Sequence, residues 1–150
     1  MKNVFTPGDT SELISRVNQL QPLSQPLWGK MNVAQMLAHC NVTYELVYDD
    51  KHPKPTGIKK VIMKLLVKNL VVSEKPYNKN GQTGPQFIIK DERNFETEKE
   101  RLIAHLNKTQ KLGEAHFDGK ESHSFGSLTK GEWNNMFYKH LNHHLTQFGV

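Results

Sequence analysis

The 150-residue sequence contains a single cysteine, Cys40. An internal disulfide is therefore impossible, and structural zinc held by several thiolates is excluded with it. Any metal would have to be bound through nitrogen or oxygen. Long apolar runs are missing too. The longest, such as Val61-Ile62-Met63 and Phe87-Ile88-Ile89, are three residues, whereas a membrane-spanning helix needs about 20. The segment Met1 to Gly8 carries one lysine and lacks the apolar stretch of a secretory signal, so the chain reads as cytoplasmic. There is no internal repeat and no low-complexity tract, and the length predicts one domain over residues 1–150.

Acid is outnumbered: 15 Asp and Glu against 20 Lys and Arg give a net charge of +5. That balance permits contact with nucleic acid or anionic lipid without demanding it. Lys59, Lys60, Lys64, Lys68 and Lys75 alternate with aliphatic residues, a pattern open to two readings. One is a basic amphipathic element for anionic lipid or nucleic acid. The other is a helix that packs its apolar sector on the protein and leaves its lysines in water. No nucleic-acid motif is present, which favours the second, so neither nucleic acid nor membrane is an expected partner.

Most of the patterning is helical. Asp9, Thr10 and Ser11 offer caps for a helix from near Thr10 to Leu20, stopped by Pro22. Val33, Met36, Leu37, Cys40, Tyr44 and Val47 fall on one arc and predict a second helix from Asn32 to about Tyr48. A third helical stretch spans Gly57 to Val72, followed by a loop from Lys75 to Pro85. Phe87-Ile88-Ile89 reads as a short strand or an extended segment. Phe95, Leu102, Ile103 and Leu106 mark a helix from Asn94 to Lys111, ended by Gly113. Glu114 to Leu128 should be irregular. Thr129 and Glu132 have the spacing of a capping box, in which each side chain satisfies a backbone N–H of the first turn. They start a last helix that should reach Phe148 and stop at Gly149. Four principal helices with little strand signal predict an all-α, four-helix bundle with an extra short helix or extended segment between its second and third helices.

Histidine is abundant, at positions 39, 52, 105, 116, 123, 140, 143 and 144. His140 and His144 are one turn apart, separated by about 40° around the helix axis, and both sit mid-stripe among Trp133, Phe137, Leu141 and Phe148. Such a pair can share one metal ion. The glutamate that accompanies paired helical histidines in zinc proteases is absent. Eight histidines give roughly 0.4 pairs at this spacing by chance, so burial is the stronger indication. Buried imidazoles must satisfy both ring nitrogens, and a shared metal satisfies one of each. The alternative is a pair of core histidines bonded to carbonyls or hydroxyls. His143 flanks the stripe as a neighbouring or surface group, or as a ligand in place of His144. A third ligand would have to come from another helix, and His39, at the edge of the second helix's apolar face, leads. His52, His105 and His116 occupy places where exposure is the default. His123 could approach from the linker. Cys40 reads as a small core residue.

Several segments carry a resemblance: Trp28-Gly29-Lys30-Met31, Ala34-Gln35-Met36-Leu37-Ala38-His39, the loop before Pro85-Gln86-Phe87, and Gly126-Ser127-Leu128-Thr129 with Glu132-Trp133 through Tyr138-Lys139-His140, His143-His144 and Gln147-Phe148-Gly149. From about Trp28 to the C-terminus the chain resembles a domain-of-unknown-function family within the DinB/YfiT-like superfamily. The resemblance implies a four-helix bundle that binds a divalent metal, commonly nickel or zinc, through one histidine of the second helix and an H-x-x-x-H pair of the last. The matching positions are His39, His140 and His144. It further implies a small-molecule substrate, either for a transferase that uses a low-molecular-weight thiol or for a hydrolase, and many bundles of the superfamily form homodimers. It does not imply DNA binding.

Three protein nitrogens with an open position would make a catalytic rather than a structural site. The metal would lower the pKa of a bound water or thiol. Glu45, Tyr44, Tyr138 and His143 are candidates for a proton-transfer partner. The other function class is a binding module, in which the bundle holds a metal or an apolar ligand without turnover.

Overall fold

A computed structural model describes residues 1–49 and 51–150. Its six helices in chain order are α1 (Pro7–Gln19), α2 (Val33–Tyr48), α3 (Gly57–Ile62), α4 (Lys68–Val72), α5 (Phe95–Phe117) and α6 (Lys130–Gln147). A π-helical turn, Met63–Val67, joins α3 to α4, and a 3-10 turn covers Pro85–Phe87. The described residues are thus all-α in class apart from one antiparallel ribbon, β1 (Glu121–Ser122) with β2 (Gly126–Ser127). No helix among them is long and apolar enough to cross a membrane.

The helix starts follow from local chemistry. α1 begins three residues before the expected Thr10, because Thr6 caps it and Pro7, whose missing N–H costs nothing in a first turn, is its first residue. α2 opens with a capping box: Gln35 N–H donates to Asn32 Oδ1 (2.8 Å) and Asn32 N–H to Gln35 Oε1 (3.1 Å). The box expected at Thr129 and Glu132 is present on α6. That helix ends at Phe148 with Gly149 in the left-handed region at φ 77°.

Packing centres on α2, which lies most extensively against α5 and also meets α6, while α1 leans on α5 and α6. Every position from Val33 to Tyr44 except Gln35 is buried, so α2 is covered on nearly every side. Leu13 and Val17 of α1, Met36, Leu37 and Tyr44 of α2, Leu102 and Leu106 of α5, and Trp133, Phe137 and Leu141 of α6 share one core. Each such side chain contributes on the order of 1.5–3 kcal/mol by leaving water.

Three expectations need correction. α5 breaks at Gly113 (φ 73°, ψ 168°) as expected, but the chain resumes a helical turn to Phe117, whose ring is buried 5.2 Å from Phe5 and 5.4 Å from Trp133. The linker that should be irregular contains the ribbon, tightened by Ser122 Oγ, which donates to the Gly126 carbonyl (2.8 Å) and accepts from Phe125 N–H (2.9 Å). Of the two readings open for Phe87-Ile88-Ile89, the extended one holds from Ile88 onward, with Phe87 closing the 3-10 turn.

The third correction concerns the lysine-rich stretch. It does not pack its whole apolar sector inward. Met63, Val67 and Val71 are half-buried and Val72 is buried, but Ile58, Leu65 and Leu66 are 80%, 71% and 74% exposed. The π turn adds a residue per turn and so rotates the faces on either side of it. The C-terminus of α4 is held by the Lys139 amine, which donates to the carbonyls of Leu70 (2.8 Å) and Ser73. Burial pulls the pKa of that amine down to about 8.

Candidate metal centre

His39 projects from the middle of α2, and His140 and His144 project from successive turns of α6 toward it. The three ring centroids are separated by 4.9, 4.5 and 4.9 Å. All three side chains bring a ligand nitrogen within 4.8 Å of the others, close to the roughly 4 Å that two nitrogens on one ion can span. His39 and His144 are buried and His140 nearly so.

Each ring is anchored through Nδ1. His39 Nδ1–H donates to the Phe87 carbonyl (2.8 Å). His144 Nδ1–H donates to Gln147 Oε1 (2.7 Å), and that amide is fixed in turn because its Nε2 donates to the Trp28 carbonyl (2.6 Å). His140 Nδ1 lies 2.9 Å from Thr43 Oγ1. Two acceptor oxygens therefore set the tautomers of His39 and His144 and leave their Nε2 atoms as bare lone pairs.

The His39 and His140 Nε2 atoms are 3.0 Å apart. One proton satisfies that contact if Thr43 donates to His140 Nδ1 and His140 Nε2–H donates to His39. A shared cation satisfies it if Thr43 accepts from His140 Nδ1–H and every Nε2 faces the ion. Only the second arrangement gives His144 Nε2 a partner, since no described residue donates to it. That nitrogen faces the cavity the three rings share, and three imidazole nitrogens converging there form a donor set that fits a divalent ion. These are the oriented imidazoles that metal sites use.

Electrostatics point the same way. Burial pushes the pKa of His140 well below the usual imidazole value, with His144, His39 and His143 adding repulsion. Burial, followed by repulsion from His39, takes His144 down to about 3. Burial also lowers His39, against an opposing hydrogen bond to Phe87. Neutral imidazoles are the form that binds a cation.

The triad opens on a cavity of about 1050 Å³. Its wall is largely apolar, with Met63, Val67, Val71, Phe87 and Met136 contributing, and among the described residues no Asp or Glu lines it. Of the four residues considered for proton transfer, only His143 does so. It lies half-buried at the rim, its ring 5.8 Å from Trp28 and 5.7 Å from Tyr77, and outside the triad. Glu45 faces elsewhere, bonded to His52 and Arg101, Tyr138 borders a smaller neighbouring cavity, and Tyr44 is buried between His105 and Phe137.

The remaining histidines divide. His123 reaches the cavity wall but spends both ring nitrogens, on Ser124 Oγ (2.8 Å) and the His52 carbonyl (3.0 Å). His116 is exposed, as expected. His52 and His105 are not: both are half-buried. His105 stacks on Tyr44 at 5.2 Å and bonds Asn41 Oδ1 at 3.0 Å, because the α2 aromatics extend the covered side of α5. Cys40 is a core residue, its thiol pKa pushed up by burial. Thr43, the Phe87 carbonyl, Gln147 and the Trp28 carbonyl were not anticipated as supports. Helical spacing marks two of them, Thr43 at four residues from His39 and Gln147 at three from His144. A backbone carbonyl leaves no trace in a sequence.

Fold and site together define a helical protein with three converging, neutral imidazoles at an apolar cavity. The family described as "Protein of unknown function (DUF1569)" matches residues 5–149, and the chain belongs to it. No curated protein and no solved structure matches the chain.

Proposed function

We propose that the chain is a divalent-metal-dependent enzyme of the DinB/YfiT-like kind, in which α1, α2, α5 and α6 form a four-helix bundle and His39, His140 and His144 hold nickel or zinc. Its reaction is transfer to or from a low-molecular-weight thiol, or hydrolysis, of a small-molecule substrate. The observation that carries the reading is the His39–His140 Nε2 contact of 3.0 Å beside a third ring whose Nε2 has no protein donor.

When bound, such an ion lowers the pKa of a water or thiol in its open position and so supplies an anionic nucleophile at neutral pH. The chain's own residues do the rest. Phe87 and Gln147 hold two imidazoles in one tautomer. The apolar part of the wall lowers the local polarity beside the triad and so strengthens the field there. His143, whose ring nitrogens bond no described residue, borders the cavity within reach of a bound substrate.

The lack of a carboxylate among the described residues that line the cavity favours a second reading, a metal- or ligand-binding module without turnover, since the commonest general acids and bases beside histidine are missing there. Metal-loaded protein, chelated protein and His140→Ala are to be assayed against a panel of electrophiles with low-molecular-weight thiols, and against a panel of esters. The enzyme reading expects product from the loaded protein alone. Equal turnover by all three would refute it, and ligand-dependent thermal shifts without product would establish the module.

A further inference from the structure

The outer face of the α3 to α4 segment is built unlike the rest of the surface. Ile58, Val61, Ile62, Leu65 and Leu66 supply five of the eleven exposed large hydrophobic residues among those described. Clustered exposure of this kind marks an interaction surface, whereas single exposed aliphatics are ordinary. From Lys51 to Ser73 the chain has six lysines and no acid. Lys68 is paired with Glu132 at 2.8 Å, but Lys59, Lys60 and Lys64 are exposed and form no ion pair among the described residues.

We infer that this face docks on an anionic lipid surface, its aliphatic side chains entering the headgroup boundary and its lysines meeting the lipid phosphates. Charge selects that occupant over a second copy of the chain. An isologous pair would set Lys59, Lys60 and Lys64 against the same lysines in a molecule already at +5. A bilayer also accepts convex, protruding leucines without needing a matching groove. On its inner side the same segment contributes Met63, Val67 and Val71 to the cavity wall, so docking sets the outside of one cavity wall against the lipid. The inference does not depend on a metal.

The test is cosedimentation of the full chain with vesicles of phosphatidylcholine alone, and of phosphatidylcholine mixed with phosphatidylglycerol, at low and high salt. Binding is expected to the anionic vesicles only, and to weaken as salt rises. Lys59→Gln/Lys60→Gln/Lys64→Gln should weaken it about a hundredfold, and Leu65→Ser/Leu66→Ser about tenfold or more. All five positions are exposed, and circular dichroism checks that each variant folds. No vesicle binding, equal binding to both compositions, or binding untouched by either variant would overturn the inference. So would a stable dimer in solution that Leu65→Ser/Leu66→Ser dissociates, since the face would then belong to a second copy.

Discussion

Acidification should unfold the metal-free protein through its buried imidazoles, and His144 sets a lower bound on the effect. Its pKa falls from 6.5 to about 3 on folding. Between those values the unfolded chain binds a proton that the folded chain refuses, so stability is complete above 6.5 and lost as the pH drops below it. At about pH 4.5 the loss relative to about pH 7.5 is roughly 2.6 kcal/mol from this one group. His39 and His140, shifted in the same direction by burial, add to it. Domains of this size are commonly stable by only about 5–15 kcal/mol, so the loss is visible. Urea unfolding of chelator-treated protein at several pH values measures it, with His144→Asn as the comparison. The asparagine amide can replace the Nδ1–H donor to Gln147 but does not titrate. The slope of stability against pH should fall by about one proton in the variant. An unchanged slope, or a parent that loses under about 1 kcal/mol over the range, would refute the claim that His144 is held neutral by burial.

Two substitutions probe the groups that hold the rings. Thr43→Val removes the hydroxyl 2.9 Å from His140 Nδ1 and should weaken metal binding about 10–100-fold for about 1 kcal/mol of stability; calorimetric titration with zinc and nickel reads the first and urea unfolding the second. Gly29→Ala places a Cβ against the Gln147 amide at a backbone φ of +87°, so it should cost about 1–3 kcal/mol and loosen the His144 anchor. A variant of parental stability and metal affinity would show that the Trp28–Gln147–His144 chain is not rigid.

The readable parts of this sequence were those where one stretch of chain states both its structure and its reason. Thr129 and Glu132 announce the start of α6, and from that start the positions of His140 and His144 on the buried stripe follow by helical geometry alone. His39 needed two helices to be packed together before its ring could be placed, and periodicity put it only at the edge of a face. That α2 is buried on almost all sides explains the difference, because a helix covered all round has no sharp boundary to read. The outward leucines of the α3 to α4 segment were misread for a different reason. A wide apolar sector says that a helix can be buried, and only the π turn and the neighbouring α6 decide which part of it is. His105 failed similarly, covered by aromatics of another helix that its own spacing could not reveal.

The most direct test of the triad is a metal count on untagged protein purified without chelator and then dialysed against zinc or nickel. The parent should hold one ion per chain, and His39→Ala, His140→Ala and His144→Ala should each hold less than a tenth of that while His143→Ala keeps the full complement. A parent without stoichiometric metal, or single alanine variants that bind as the parent does, would contradict the account.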